Sequence, residues 1–241
     1  MTKKLLKIAL LVVLGAIFSP DVFGQNKIVM SLANRYSLAL RRLENGNSRQ
    51  SIEAVYRKGA SLSDKLDEME NLSEADYALF EKKMKGFIIN RNEVVFVKPD
   101  AKFFGSLAQR RGTEADLAFF TFLNHLRPDG IWSAYIEQQT DFSGCTIYGK
   151  GILTEMYGRA KQFKRKYPSA YIPEINETIT DIKQKFTSGT CACGDNRADV
   201  AGEFRLFIKT FPKDEITSAV EKRLADVLKN KSGIRFGCHS G

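Results

Sequence analysis

The chain has 241 residues, with 37 Lys and Arg against 28 Asp and Glu, a formal net charge of +9. Its 43% apolar content and 17 Phe exclude a disordered chain and point to a real core. The length suits one large domain or two small ones.

The first residues, MTKKLLKIALLVVLGAIFSPDVFGQ, read as an export signal. Lys3, Lys4 and Lys7 form a positive n-region, and Leu5 to Phe18 is apolar apart from Lys7. Pro20 breaks the run, and Val22-Phe23-Gly24 approximates the small-x-small cleavage rule. Residues 1–24 are therefore expected to be a signal peptide, with the mature chain starting near Gln25. The apolar run from Ile8 to Phe18 is too short to span a bilayer as a stable helix. Nothing later is longer, so no transmembrane segment is expected after cleavage. Cys145 is the first cysteine, which leaves no lipid attachment point beside the leader. Cleavage removes three lysines and one aspartate and lowers the net charge from +9 to +7. The expected location is periplasmic or secreted.

Apolar residues at 28, 29, 32, 36, 39, 40 and 43 make a helix stripe over Ile28–Leu43, ended by Gly46. Ser51–Lys58 and Ser63–Met69 read as two short helices. Ser73-Glu-Ala-Asp76 resembles a capping box opening a helix to about Lys85. The rhythm then changes: Phe87–Val97 has two β-branched runs around Asn90-Arg91-Asn92, a short hairpin. Asp100 is the candidate cap of the next helix, and Thr113-Glu-Ala-Asp116 caps an apolar helix reaching Leu126, stopped by Pro128-Asp129-Gly130. A less regular stretch runs through Trp132 and Tyr135 to Gly144-Cys145. Helices return at about Leu153–Tyr167, Pro173–Phe186, Asp199–Phe211 and Asp214–Lys229. The expected fold is mainly α, a multi-helix globular fold with one short β-hairpin at about 87–97, braced by two disulfides. The neighbourhood of Pro99 is the best boundary, dividing an N-terminal helical part with the hairpin (25–98) from a disulfide-braced part (99–241). One continuous domain over 25–241 is an equal alternative.

Charge follows the chain unevenly. Residues 25–59 hold seven Lys or Arg against Glu44 and Glu53, whereas residues 60–82 hold seven acids against Lys65 and Lys82. Neighbouring helices with exposed ion pairs account for this at little energetic gain. The functional alternative is a polarised surface that orients a partner.

All four cysteines, Cys145, Cys191, Cys193 and Cys238, lie in the C-terminal part, and an even number in an exported chain implies two disulfides. A Cys191–Cys193 bridge would close a very small, strained ring. The expected pattern sends these two sulfurs to different partners, Cys145 and Cys238, in an order the sequence leaves open. Each bridge then closes a loop of about 45 residues, worth on the order of 4 kcal/mol in the chain-entropy model. A redox use of Cys191-Ala-Cys193 has no surrounding βαβ pattern and no C-x-x-C to support it. A Cys₃His zinc site with His239 would compete with oxidation and strain the adjacent Cys238. No metal and no cofactor are expected.

Gly144-Cys-Thr-Ile-Tyr-Gly149-Lys150-Gly151 is a near miss to a phosphate-binding loop, with Gly where the Mg²⁺-ligating hydroxyl belongs. It reads better as a turn delivering Cys145. Zinc-peptidase and α/β-hydrolase signatures are missing, and no DNA- or RNA-binding motif is present, so nucleic acid is not an expected partner. Glu137, Asp141 and Glu155 are the carboxylates of an alternative envelope-hydrolase reading. Trp132, Tyr135, Gln138, Asp141 and Tyr148 form the candidate ligand groove. Lys161, Lys164 and Arg165 form the candidate surface for an anionic partner, since helical spacing puts them on one side and Phe163 and Tyr167 on another. The leading expectation is a non-enzymatic exported protein that binds another protein or an envelope component. The third alternative is a thiol–disulfide protein. Thiol titration of the unfolded, oxidised protein is expected to find no free cysteine; two or more reactive thiols would contradict the disulfide framework.

Overall fold

The computed structural model describes residues 20–47, 49–67, 73–91, 95–140 and 143–238. Residues 1–19 of the expected signal peptide, Asp141, Phe142 and His239 lie outside the described residues.

Helix α1 (Pro20–Glu44) opens with proline, which suits a first helical position because it has no N–H to leave unpaired. Of its expected stripe, Val29, Tyr36, Ala39, Leu40 and Leu43 are buried and Leu32 half-buried, whereas Ile28 is exposed; Ala33 is buried beside them. Helix α2 (Ile52–Asp67) is one helix where the sequence suggested two. The glycine between them is a packing residue: a Cβ on Gly59 would lie 2.2 Å from the Phe87 ring and 2.9 Å from Tyr36. Helix α3 (Glu74–Lys83) carries the expected capping box at Ser73 and Asp76. Strands β1 (Phe87–Arg91) and β2 (Val95–Pro99) pair antiparallel, with Ile89 opposite Val97 and Arg91 opposite Val95. Asn90 and Arg91 are therefore strand residues, while Asn92 of the expected turn lies outside the described residues.

Helix α4 (Ala101–Arg111) is capped by Asp100, which accepts from the Lys102 and Phe103 amides. Helix α5 (Glu114–Leu126) has the expected Thr113/Asp116 box. Helices α6 (Ile152–Lys166), α7 (Ile172–Thr187), α8 (Arg197–Thr210) and α9 (Thr217–Leu228) complete nine helices among the described residues. The fold is thus mainly α with two disulfides, as expected. A second two-stranded sheet, β3 (Ile136–Gln138) with β4 (Gly144–Thr146), was not anticipated. Asp214 precedes α9 instead of starting it.

One contiguous set of buried side chains runs from Val29 to Ile234. It holds two aromatic groups. Tyr56 meets Phe87, Phe104, Phe119, Phe120 and Tyr171, and further along the chain Phe207 meets Tyr157, Phe186 and Phe211. Phe163, against Phe119, joins the C-terminal helices to the first group.

The Cys-Ala-Cys segment lies between two others and is joined to each by a parallel β-bridge. Thr146 N–H donates to the Cys191 carbonyl (3.1 Å), and Cys193 N–H donates to the Thr146 carbonyl (3.0 Å). On the other edge, Ala192 N–H donates to the Arg235 carbonyl (2.9 Å) and Cys238 N–H to the Ala192 carbonyl (3.1 Å). The period of two puts both sulfurs on one face, where each reaches across to a flanking segment: Cys145–Cys193 (Cα–Cα 4.9 Å) and Cys191–Cys238 (5.8 Å). All four cysteines are paired, so none is a free thiol for the redox reading or an available zinc ligand.

The phosphate-loop look-alike has a physical explanation. Glu203 of α8 is 1% exposed, and its carboxylate accepts from the amides of Gly149 (3.1 Å), Gly151 (2.8 Å) and Thr154 (3.0 Å) and from the Thr154 hydroxyl (2.6 Å). The loop and the start of α6 cradle an anion, as such loops do, but the anion is this chain's own side chain. Gly149 and Gly151 hold φ of +85° and +75°, the left-handed region glycine occupies readily. Replacing Glu203 by Gln would set an amide NH₂ against two of the four donors, whichever way the amide is turned. Glu203→Gln is expected to lower the unfolding free energy by roughly 2–4 kcal/mol in urea with the disulfides intact. A loss below about 0.5 kcal/mol, the scale of an ordinary surface substitution, would show that the carboxylate does not hold α6 in place.

Candidate functional site

A cleft of about 530 Å³ opens where α2, β2, α5 and α7 meet, within the size range of small-ligand sites. Its floor is aromatic and aliphatic: Tyr56, Phe119, Phe122, Leu123 and Leu126. One wall is α7, where Glu174, Glu177, Thr178 and Asp181 recur at helical spacing and so share a face. Ile175, Ile179 and Ile182 of the same helix are buried in the core. The lining also takes Arg57, Ala60, Ser61 and Ser63 from α2, Lys98 and Pro99 from β2, and Arg127 from the end of α5. The cleft thus combines acidic, basic and apolar side chains, with Arg57 lying against Glu174.

Polar contacts fix the acidic wall. Glu174 Oε1 lies 3.6 Å from Arg57 Nε, and Arg57 also meets Glu53 at 2.8 Å. Glu174 Oε2 is buried with no hydrogen-bond partner among the described residues. Burial pushes the Glu174 carboxyl above its ordinary value, with Glu53 and Glu177 adding to the rise and Arg57 opposing it. Asp181 accepts a 2.8 Å hydrogen bond from the Tyr135 hydroxyl and faces Lys185 at 3.4 Å. Burial raises the Tyr135 hydroxyl, and the neighbouring carboxylate raises it further.

The first turn of α7 is anchored by Tyr171, a non-glycine residue with φ 49° and ψ 33°. Its ring stacks on Phe119 at 3.7 Å, its hydroxyl donates to Asp116 Oδ1 at 2.6 Å, and its amide donates to Glu53 Oε1 at 2.9 Å. A left-handed tyrosine costs roughly 1–3 kcal/mol and persists only where surroundings over-determine it. Here α2, α5 and α7 all hold it.

Of the residues proposed for a groove, Tyr135 lines this cleft. Trp132 is half-buried near Gly144, Gln138 is exposed on β3, and Asp141 is outside the described residues. Tyr148 is buried elsewhere, against Phe204, with its hydroxyl donating to the Lys185 carbonyl at 2.8 Å. Burial pushes that hydroxyl up to about 12, with Arg223 pulling the other way. Of the four described residues, the cleft takes in Tyr135 alone. Glu137 and Glu155 are exposed, the latter paired with Arg159 at 2.7 Å, and neither lines the cleft. The basic face is partly committed within the fold: Lys161 meets Asp214 at 3.1 Å and Lys164 donates to Asn176 at 2.8 Å, while Arg165 is exposed. Among the described residues, no group of three or more His, Cys, Asp or Glu could hold a metal ion. Sequence reasoning missed Arg57, Lys98, Glu174, Glu177 and Asp181. The acids at 174, 177 and 181 were legible as one polar helix face, but nothing local shows that α2 and β2 join them in one cleft.

The Lys161–Asp214 contact gives a pH dependence. Burial pushes the Asp214 carboxyl up, but donation from Tyr157 (2.9 Å), Lys161 and the Ile216 amide outweighs it and holds the group below its ordinary value. The stability it contributes is complete above the unfolded value of about 3.9 and is lost as pH falls through the lower folded value. Asp214→Asn is therefore expected to be less stable than wild type in urea at neutral pH, with the gap closing in strong acid. An equal gap at both pH values would remove Asp214 as the source. Compared with known proteins, the chain matches no family model, and no curated protein or solved structure shows a significant likeness to it.

Proposed function

We propose that this is an exported binding protein that holds a component of its envelope surroundings in the α2/β2/α5/α7 cleft, without transforming it. The observation that carries the reading is the cleft itself, where ring and aliphatic side chains line one space with a few acidic, basic and hydroxyl groups. Sites that bind small molecules combine apolar area for affinity with a few placed polar groups for orientation. Export is supported by the n-region and apolar run before residue 25 and by two cysteine bridges, which persist in oxidising compartments. Among the described residues, no helix is long and apolar enough to cross a membrane.

A second reading is favoured by one feature, the Glu174 carboxyl. A desolvated acid with a raised value beside Glu177, one turn away in the same cleft, is how a general acid is prepared. It moves the hydrolase alternative from residues 137–155 to α7. Loss of turnover in Glu174→Gln, on any substrate the wild-type protein cleaves, would favour it over simple binding.

The test of binding uses the full mature chain exposed to an extract of its own envelope and read by native mass spectrometry. Ser61 is exposed at the cleft, so Ser61→Trp fills it at little structural cost. Wild type is expected to retain a ligand mass that Ser61→Trp loses at an unchanged melting temperature. Equal capture by both would place binding elsewhere, and capture by neither would count against a binding protein.

A further inference from the structure

Separately from the cleft, we propose that the outer face of α1 docks the protein on an anionic lipid bilayer surface. Arginines meet the lipid phosphates, and Ile28 and Leu38 enter the shallow apolar layer beneath them. Helix α1 buries one side in the core, and its opposite side carries Ile28, Arg35, Leu38 and Arg42. Their spacings of seven, three and four residues line them up as one stripe. Ile28 is 59% exposed and Leu38 44%. Arg35 and Arg42 are exposed, and neither has an ion pair among the described residues. Arg111, from the end of α4, extends the stripe past the C-terminal end of α1. Its guanidinium packs so closely on Gly46 that a Cβ there would sit 2.5 Å from Nη1. It is likewise exposed and without an ion pair among the described residues.

Negative charge near this face is engaged elsewhere. Glu44, at the end of α1, meets Lys85 at 2.6 Å. Helix α3 packs on α1 and brings a further cation to its edge, Lys83, which donates to Asn34 at 2.5 Å. Of the acids at 60–82 whose side chains are described, Glu74 and Glu81 both meet Arg91 of β1, and Asp76 caps α3 at Ser73. The bases of α6 are the opposite case, Lys161 being held by Asp214 and Lys164 by Asn176. Arg35 and Arg42 stand about 10 Å apart along the axis at 1.5 Å per residue, so they suit a sheet of anions better than one small anion. A basic helix face with apolar side chains between its charges is the pattern of a helix lying in the headgroup plane of a membrane. A soluble polyanion would satisfy the arginines and leave Ile28 and Leu38 in water. A stable protein partner needs about 800 Å² from each side, more than a stripe one helix wide offers.

The test is co-flotation of the full mature chain with vesicles of equal parts phosphatidylglycerol and phosphatidylcholine, and with phosphatidylcholine alone. Wild type is expected to float with the anionic vesicles and to bind phosphatidylcholine at least about tenfold more weakly. Binding is expected to fall in about 1 M salt, where the screening length is about 3 Å. Each arginine near an anionic surface contributes about fivefold, so Arg35→Gln with Arg42→Gln is expected to cost at least about tenfold. Lys164→Gln with Arg165→Gln on α6 removes the same charge and is expected to stay within about twofold of wild type. Leu38→Ser is expected to weaken vesicle binding and leave binding to dextran sulfate, which has no apolar layer, unchanged. All these positions are exposed, and an unchanged melting temperature shows that no variant acts through folding. No flotation of wild type, or equal binding to both kinds of vesicle, would overturn the proposal. Equal losses from the two double variants would also overturn it, by showing that only net charge matters. Unchanged vesicle binding by Leu38→Ser would overturn the bilayer as partner, and tighter binding to dextran sulfate would put a soluble polyanion in its place. None of these outcomes bears on the cleft, which Ser61→Trp tests by itself.

Discussion

The carboxylate of Glu203 is the interaction on which the C-terminal half depends. An ionised group this deeply buried is costly unless its hydrogen-bonding capacity is filled, and here three amides and a hydroxyl fill it. The same contacts supply partners for amides at the open N-terminal end of α6, which would otherwise lack them. One side chain from α8 therefore determines both where the 149–151 turn lies and where α6 begins. Arg223 of α9 does the complementary work at the other end of α7. It is 8% exposed and donates to the carbonyls of Phe186 (3.0 Å) and Lys185 (3.3 Å), with a further contact to Gly189. Burial holds its guanidinium below the ordinary value, so its charge is retained at some cost and is compensated by the carbonyls of a helix C-terminus. A buried anion at one helix start and a buried cation at another helix end place α6 and α7 by electrostatics as well as by apolar contact.

The cysteine knot acts on the same region. Residues 191–193 follow the end of α7 and are clamped on one edge by β4 and on the other by the C-terminal tail. The two bridges span sequence separations of 48 and 47 residues, long loops whose closure removes freedom chiefly from the unfolded chain. Arg223 caps the segment that leads into the knot, and Tyr148, two residues after β4, donates to the same Lys185 carbonyl. Helix α7, whose acids line the cleft, is therefore held at its C-terminal end by a charged cap and a tyrosine hydroxyl that share the Lys185 carbonyl, and by the cross-linked segment that follows.

The parts of this arrangement that rest on local chemistry were readable from the residues. Capping boxes at Ser73 and Thr113, the Asp100 cap and the apolar stripe of α1 follow from side chains within a turn or two of each other, and the structure shows each of them. The single run of α2 was not readable, because the space at Gly59 is defined by the Phe87 ring, 28 residues further along the chain. The Cys-Ala-Cys segment lacks the run of β-branched residues that announces β-pairing. Its ladder bonds go to segments roughly 45 residues away on either side, so no local pattern encodes it. The phosphate-loop resemblance had a real cause, a backbone shaped for an anion, but the anion lies 49 residues beyond Thr154. The cleft was least legible. Its lining comes from residues 56 to 181, and side chains gathered from so far apart leave no spacing signature.

Tyr171 joins these separate stretches. Its amide is bonded to α2, its hydroxyl to the capping aspartate of α5 and its ring to Phe119, and two residues later the chain enters the cleft wall at Pro173 and Glu174. Its left-handed backbone stores strain that any one partner alone would not offset. The contacts from α2 and α5 together hold the chain in that conformation where α7 begins, and so set the N-terminal helices against the residues of α7 that line the cleft.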